Sequence, residues 1–207
     1  MSISPDGKFV AGINNAKKDR QFLMTYKVEN REAFYYEPLQ YGDVYDYAWA
    51  SDNKLIYNVS IKKSYYFHMG VIDREMKNNN PFNYKYVGHI VDGIPADSTR
   101  SLIMRYDRAY NTFLRYVDLE TVQIKNVKIK FKGMIFDCKT DLLGIPKLII
   151  SYQRGNAGII DLHYFDPATK SWCSSYVPDK FKRNEFSIIA LAQVRQLLHE
   201  NGDSVLI

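Results

Sequence analysis

The sequence predicts an all-β fold built from repeated antiparallel sheets, and three observations support this prediction. A polar turn followed by a short apolar strand recurs about every 46 residues. A strand that ends in an acidic residue and then turns recurs at nearly the same interval. The stretches between these landmarks are rich in Tyr, Phe, Val and Ile, residues typical of strands, with 17 tyrosines and 11 phenylalanines in 207 residues.

The first landmark is the hairpin turn that precedes an apolar strand. Strands begin near residues 9, 55, 102, 148 and 205, at spacings of 46, 47, 46 and 57. The turns before them are residues 5–8 (PDGK), 51–54 (SDNK), 97–101 (DSTRS), 144–147 (GIPK) and 201–204 (NGDS). Asp-Gly and Asp-Asn favour a residue with positive φ in a tight hairpin. We therefore expect a hairpin at each of these positions.

The second landmark is the acid at the end of a strand. The acids are Glu29, Asp73, Asp118 and Asp166, spaced 44, 45 and 48 residues apart. An Asp side chain can accept a hydrogen bond from the backbone two residues later and so open the next turn. Two landmarks with the same period indicate a true repeat.

Each repeat therefore contains about four short antiparallel strands. One such sheet cannot bury both faces alone, but radial stacking of several sheets can, which predicts a partial β-propeller of about four to five blades. We expect one incomplete domain over residues 1–207, with blades at 1–41, 42–93, 94–132 and 133–177 and a partial unit at 178–207. Residues 187–200 have near-helical apolar spacing, so a short helix is expected there, with a strand as the alternative.

The blade count suggests a piece of a longer protein, because complete propellers have about 4–8 blades and join the first blade to the last. Open sheet edges would then be exposed and would favour pairing with a second copy of the chain.

The charge pattern does not favour nucleic acid. The net charge is +5 with a pI of about 9.0, and the densest positive stretch alternates with Ile129 and Phe131, as on a strand with one solvated face. Its lysines are Lys125, Lys128, Lys130 and Lys132. A solvated strand face is the favoured interpretation of these lysines, and a stripe that binds nucleic acid is the alternative. We therefore expect no nucleic-acid partner, and we also expect no membrane partner. No signal peptide or spanning segment is visible, and the compartment stays open: cytoplasmic, or periplasmic or secreted if a signal was removed.

The sequence contains no motif that indicates an enzyme site of its own. The nearest approach to a GxSxG nucleophile elbow, around Ser204, lacks the second glycine, and no glycine-rich phosphate loop is present. The four histidines are too far apart for helical zinc spacing and are interpreted as structural: His68, His89, His163 and His199. We predict no catalytic, cofactor-binding or metal-binding residues and no cofactor.

Other residue types allow two interpretations. Asp137 and Asp141 flank Cys138. A Cys–His pair or a carboxylate dyad formed with residues distant in the sequence is the less favoured interpretation of these three residues. Cys138 and Cys173 are either two buried free thiols, which we favour, or one disulfide. The remaining candidates are aromatic, with packing favoured over a ligand surface: Trp49, Trp172, Phe34-Tyr35-Tyr36 and Tyr65-Tyr66.

Two segments carry a family resemblance. Residues 4–11 (SPDGKFVA) and 49–57 (WASDNKLIY) resemble the blade signature of the N-terminal propeller in prolyl-oligopeptidase-like serine peptidases, which also occurs in TolB-like propellers. Residues 114–121 (LRYVDLET) resemble the strand, Asp and turn of these blades, and the stretch from Phe136 to Trp172 resembles a later blade.

The resemblance covers most of the chain to about residue 177. It implies a parent serine peptidase in which the propeller limits access of peptide substrates to a C-terminal α/β-hydrolase domain. That domain, with its serine, acid and histidine, is missing here, so no catalytic residue is carried over. The alternative is a TolB-like propeller that acts as a platform for protein–protein interaction.

Overall fold

A computed structural model describes residues 1–17, 20–38, 42–61, 67–82, 88–94, 96–106, 112–127, 129, 134–152 and 160–177. Within these ranges the regular elements are sixteen strands, which form four antiparallel sheets of four strands each. The prediction of an all-β chain with four-stranded repeats is therefore confirmed. The helix expected at 187–200 and the partial unit at 178–207 lie outside the described residues.

The strands follow chain order within every sheet. Sheet 1 contains β1 (Ser2–Ile3), β2 (Phe9–Lys17), β3 (Arg20–Lys27) and β4 (Ala33–Tyr36). Sheet 2 contains β5 (Gly42–Trp49), β6 (Lys54–Ile61), β7 (Phe67–Asp73) and β8 (Asn79–Pro81). Sheet 3 contains β9 (Gly88–Asp92), β10 (Arg100–Tyr106), β11 (Thr112–Asp118) and β12 (Ile124–Asn126). Sheet 4 contains β13 (Met134–Thr140), β14 (Pro146–Tyr152), β15 (Ile160–Asp166) and β16 (Ser171–Val177).

One of the expected blade limits falls inside a sheet. Strand β9 lies before the limit expected between residues 93 and 94, yet it pairs with β10 in sheet 3. The repeated polar turn joins the first strand of a sheet to the second, so a limit placed directly before that turn separates the first strand from its own sheet.

The chain forms two compact units. The first contains Met1–Lys130 and Leu142–Gly144, and therefore sheets 1 to 3; the second contains Phe131–Asp141 and Ile145–Ile207, and therefore sheet 4. Buried apolar side chains fill the spaces between successive sheets of the first unit. Between sheets 1 and 2 they are Phe9, Ala11, Leu23, Val44, Trp49, Leu55, Tyr57, Val59 and Ile72. Between sheets 2 and 3 they are Ala50, Ile56, Met69, Val71, Phe82, Ile103, Val117 and Leu119.

Polar contacts also join the turns of neighbouring sheets in the first unit. Asp6, in the β1–β2 turn, pairs with Arg74, which follows β7, at 3.2 Å. Lys54, at the start of β6, pairs with Glu120, which follows β11. The same kind of link therefore occurs at both sheet-to-sheet junctions of this unit.

The turn chemistry expected from the sequence is present with one difference. Gly7 has a φ of 70°, but Asn53 has no positive φ. Instead, the Ser51 hydroxyl accepts hydrogen bonds from the backbone N–H groups of Asn53 (3.2 Å) and Lys54 (3.1 Å) and so closes that turn. The strand-end acids behave as expected at Asp118, whose carboxylate accepts the backbone N–H of Glu120 at 3.0 Å.

Four turn aspartates make the fold sensitive to acid. Hydrogen bonds to an ionised carboxylate lower its pKa, because they stabilise the charged form. The largest cause of the lowered pKa is a hydrogen bond from a nearby side chain in three cases: Ser4 for Asp6, Thr99 for Asp97 and Thr169 for Asp166. For Asp118 the largest cause is the backbone N–H of Thr121.

The sign of the pH effect follows from these shifts. A carboxyl with a lowered folded-state pKa contributes stability above its unfolded value of about 3.9, and this stability is lost as pH falls through the folded pKa. We expect the urea midpoint of unfolding to fall as pH drops below about 4, and to fall less in Asp118→Ala. Asp52→Ala, which changes an exposed turn carboxylate, should retain the slope of the unchanged protein. Equal slopes for all three proteins would contradict this explanation.

Candidate functional site

A polar cluster lies on the first two strands of sheet 2 and the first strand of sheet 3. Strand β9 contacts both β5 and β6, and the cluster contains Tyr45 and Asp46 on β5, Asn58 on β6 and His89 on β9. Asp46 lies directly opposite Asn58 in the β5–β6 register, and a bulge at Tyr45 interrupts this register between Val44 and Asp46. Bulges often occur beside functional sites, where they redirect a side chain.

Burial shifts the titration of two members of this cluster. The half-buried Asp46 has a raised pKa, mainly because burial disfavours its carboxylate; the backbone N–H of Tyr47, the His89 imidazole and the Asn58 amide oppose this effect. Burial and the nearby Asp46 carboxylate raise the pKa of Tyr45 to about 12. Tyr45 is therefore a neutral hydroxyl at ordinary pH, while Asp46 holds its proton more tightly than an exposed aspartate.

Asn58 is the most unusual member of the cluster. It is 0% exposed, and neither its amide nitrogen nor its amide oxygen makes a hydrogen bond of ordinary geometry. Its amide lies close enough to the Asp46 carboxyl to lower that pKa, so the pair interacts without forming a good hydrogen bond. Buried polar groups are nearly always paired, so this asparagine requires an explanation.

His163, one of the four histidines interpreted as structural, contacts two serine hydroxyls. In sheet 4 its Nε2 lies 2.8 Å from the Ser151 hydroxyl and its Nδ1 lies 2.7 Å from the Ser174 hydroxyl. Burial lowers the pKa of His163, and Asp161 partly opposes this. Ser151 is 0% exposed, so a substrate cannot reach its hydroxyl, whereas Ser174 is exposed. Through these two contacts His163 links β14, β15 and β16.

The acids around Cys138 are held by local contacts. Asp137 accepts the backbone N–H of Cys138 at 2.7 Å and pairs with Lys139 at 3.1 Å. Asp141 accepts the backbone N–H of Ile145 at 2.9 Å and pairs with Lys147 at 3.5 Å. These contacts lie within β13 and in the turn that follows it, and they do not indicate a carboxylate dyad.

Both cysteines are free thiols; Cys138 is buried and Cys173 is half-buried. The favoured interpretation of two free thiols therefore holds, although only one of them is buried.

The aromatic candidates mostly pack between strands and sheets. Trp49 is buried in the core between sheets 1 and 2, and the half-buried Trp172 packs edge-on against Phe165 at 5.9 Å. In β4, Tyr36 lies 4.9 Å from Tyr57, centroid to centroid, whereas Tyr35 is 57% exposed. Tyr35 nevertheless packs edge-on against Phe22, with the ring centroids 5.7 Å apart, so packing explains all of these side chains.

Several candidates cannot be placed. Lys125 is exposed on β12. The other lysines of its basic stretch lie outside the described residues: Lys128, Lys130 and Lys132. The same holds for Tyr65, Tyr66, His199 and Ser204.

The part of the chain that the structure describes has neither a metal-binding cluster nor a helix that could span a membrane. No group of three or more His, Cys, Asp or Glu side chains there could hold a metal ion. None of its segments forms a helix of the length and hydropathy that crossing a bilayer requires.

Comparison with known proteins identifies the fold through structure alone. No protein-family model and no curated protein matches the sequence. An oligogalacturonate lyase in complex with manganese matches with a TM-score of 0.59 and 13% identity, covering 85% of this chain and 52% of the lyase. A structure from a study of two prolyl endopeptidases matches with a TM-score of 0.59 and 13% identity, covering 83% of this chain and 28% of that protein. A TolB from Agrobacterium tumefaciens matches with a TM-score of 0.52 and 10% identity, covering 83% and 62%.

This chain spans only about half of the lyase and less of the prolyl endopeptidase. At identities of 10–13%, these matches show the fold alone. The chain therefore has the fold of a TolB-like, prolyl-oligopeptidase-like β-propeller domain.

Proposed function

We propose that this chain is a non-catalytic propeller domain that limits access of substrates to an α/β-hydrolase domain of the same natural protein. The fold match to a prolyl endopeptidase supports the proposal. Its main support within the molecule is the polar cluster on adjacent first strands, Tyr45, Asp46 and His89. Such groups offer a hydrophilic lining along which a short or extended peptide can pass.

The gating mechanism is steric. Buried cores and turn-to-turn ion pairs hold sheets 1 to 3 together. A rigid lid of this kind admits short peptides, excludes folded proteins and helps to keep water from the reaction. The catalytic serine, acid and histidine would all come from the hydrolase domain.

A first test uses the purified chain. We expect no hydrolysis of peptide or ester substrates, because the sequence has no GxSxG nucleophile elbow and the Ser151 hydroxyl beside His163 is buried. Turnover that a serine-directed inhibitor abolishes would contradict a non-catalytic role.

A second test uses the natural protein. The coding sequence beyond Ile207 should encode a GxSxG motif followed by Asp and His. Removal of residues 1–207 from that protein should then allow cleavage of folded proteins that the intact protein leaves uncut. A natural protein that contains further blades and no hydrolase would refute the gating role.

The second candidate is a propeller that serves as a platform for protein–protein interaction. The match to TolB supports it, and so does an apolar turn between β13 and β14, where Leu142 and Leu143 are 68% and 55% exposed. Exposed apolar side chains favour protein contacts. Pairing of two copies through open sheet edges belongs to the same proposal, and light scattering of the purified chain would detect such a dimer.

A further inference from the structure

Sheets 1 and 2 have the same pattern of backbone hydrogen bonds around their polar turns. In sheet 1 the N–H of Ser4 donates to the carbonyl of Phe9 at 2.8 Å. In sheet 2 the N–H of Ala50 donates to the carbonyl of Lys54 at 2.9 Å. Ser4 therefore corresponds to Ala50 and Phe9 to Lys54, which allows the two sheets to be compared residue by residue.

Sheet 1 has an outer face, which is the face turned away from sheet 2. Phe9 and Ala11 of β2 pack in the core between sheets 1 and 2, and successive side chains of a strand point to opposite faces. Val10 therefore lies on the outer face. Ile3 on β1 and Tyr26 on β3 lie there too, because both are directly opposite Val10.

The matching positions of sheet 2 form its contact with the sheet before it. They are Trp49, Leu55 and Ile72, and Leu55 lies opposite the other two. All three are buried in the core that packs against sheet 1. In sheet 1, by contrast, Ile3 is 63% exposed, and the other two matching positions are half-buried. The outer face of sheet 1 therefore carries the positions that sheet 2 uses to contact its preceding sheet.

The residue after the third strand shows the same difference. The backbone N–H groups of Val28, Arg74 and Leu119 each donate at 2.9 Å to a carbonyl in the polar turn of their own sheet, so the three residues correspond. Arg74 pairs with Asp6 in the turn of sheet 1, and Leu119 is buried in the core between sheets 2 and 3. Val28 is 49% exposed, although it is as apolar as Leu119.

The chemistry of the outer face specifies the kind of partner that fits it. Met24 lies two residues from Tyr26 and opposite Tyr35, so it extends the same face across β3 and β4. These side chains are uncharged, as are Ile3 and Val10. An apolar sheet face of this kind packs against the apolar face of another sheet about 10 Å away.

The size of the outer face favours a partner in the same polypeptide over a second copy of the chain. Four strands about 4.8 Å apart and about 20 Å long give a flat area of roughly 400 Å². Two copies that met there would bury roughly 800 Å², whereas stable complexes bury about 1,200–2,000 Å². A sheet linked in the same polypeptide needs less area, because the linkage supplies an effective concentration of about 1 mM or more.

We propose that the outer face of sheet 1 is the docking surface for a further four-stranded sheet of the same natural polypeptide. That sheet packs on sheet 1 as sheet 1 packs on sheet 2, with Ile3, Val10, Tyr26 and Val28 in the contact. The proposal concerns this face alone, so it is independent of whether the natural protein contains a hydrolase domain.

Thiol labelling tests whether the face is covered. Ile3→Cys and Val28→Cys each place a thiol on the outer face, and Asp52→Cys places one on an exposed turn of sheet 2 as the control. Each variant is prepared in the 207-residue chain and in the natural protein, and labelling at the substituted position is measured by peptide mass spectrometry. We expect similar rates for all three in the 207-residue chain. In the natural protein, Ile3→Cys and Val28→Cys should react at least about tenfold more slowly than Asp52→Cys.

Three labelling results would overturn the proposal. The first is equal rates for all three variants in the natural protein. The second is slow labelling of Ile3→Cys and Val28→Cys in the dilute 207-residue chain, because residues of this chain would then cover the face. The third is slow labelling that appears only as the concentration of the 207-residue chain is raised, because the occupant would then be a second copy.

Crosslinking identifies the segment that covers the face. A photoreactive crosslinker attached to Val28→Cys in the natural protein should yield peptides from a segment that has the polar turn and strand-end acid of this repeat. Peptides from a segment without that repeat, such as a hydrolase domain, would overturn the proposal. The gating role itself is decided by the cleavage of folded proteins, so the two proposals can fail separately.

Discussion

Gly93→Ala should destabilise the first compact unit by about 3 kcal/mol, at the upper end of what overpacking costs. A Cβ atom at residue 93 would lie 1.9 Å from the carbonyl oxygen of Trp49 and 2.7 Å from its carbonyl carbon. These are backbone atoms of sheet 2, so no side-chain rotation relieves the clash. The Gly93 carbonyl also accepts a hydrogen bond from the Ser101 hydroxyl at 2.9 Å, which holds residue 93 in this position.

Urea unfolding followed by far-UV circular dichroism measures this effect. Gly12→Ala is the matched control, because its Cβ would meet only the Met1 side chain, with the nearest atom at 3.0 Å. Met1 is 98% exposed and can move aside, so the control should remain within about 0.5 kcal/mol of the unchanged protein. Equal midpoints for Gly93→Ala and Gly12→Ala would show that sheets 2 and 3 do not approach each other this closely.

Local signals in the sequence predict the strands and turns well. Each of the four polar turns within the described residues lies between the first and second strands of its sheet, and the acids Asp73, Asp118 and Asp166 end the third strands of sheets 2 to 4. These features depend on hydrogen bonds between residues a few positions apart, such as Asp118 with Glu120. The first repeat departs from the pattern: Glu29 lies beyond β3, and Asn30 instead accepts the backbone N–H of Glu32 at 3.3 Å.

Contacts between sheets have no comparable signal in the sequence. Gly93 approaches Trp49, and His89 influences Asp46, across two different sheets. Such contacts depend on the distance and angle between sheets, which no residue spacing specifies. For this reason the sequence predicts the sheets but neither the glycine between them nor the polar cluster beside it.

The candidate site illustrates the same limit. In the sequence, His89 and His163 are recognisable only as single histidines, and no pattern there indicates a role for Asn58, Ser151 or Ser174. Asparagine and serine are common on strand faces, so only the folded register shows that Ser151 and Ser174 flank His163. The register also places Asn58 opposite Asp46.

Trp49→Ala should cost about 3–5 kcal/mol, the range for removal of a large buried aromatic side chain. Trp49 is 6% exposed and belongs to the core between sheets 1 and 2. Its indole N–H also donates to the backbone carbonyl of Ser2 at 3.3 Å, which ties the two-residue strand β1 to sheet 2. Truncation would leave a cavity in that core and remove this link.

The second tryptophan of the chain provides the control. Trp172 is half-buried on the outer strand of sheet 4 and packs against Phe165, so Trp172→Ala should cost only about 1 kcal/mol. Trp49→Phe keeps most of the ring but loses the N–H donor, and we expect an intermediate cost of about 1–2 kcal/mol. Far-UV circular dichroism in urea is the suitable measurement, because each variant changes the tryptophan fluorescence itself. If Trp49→Ala and Trp172→Ala were equally stable, sheets 1 and 2 would not be held together by the core that contains Trp49.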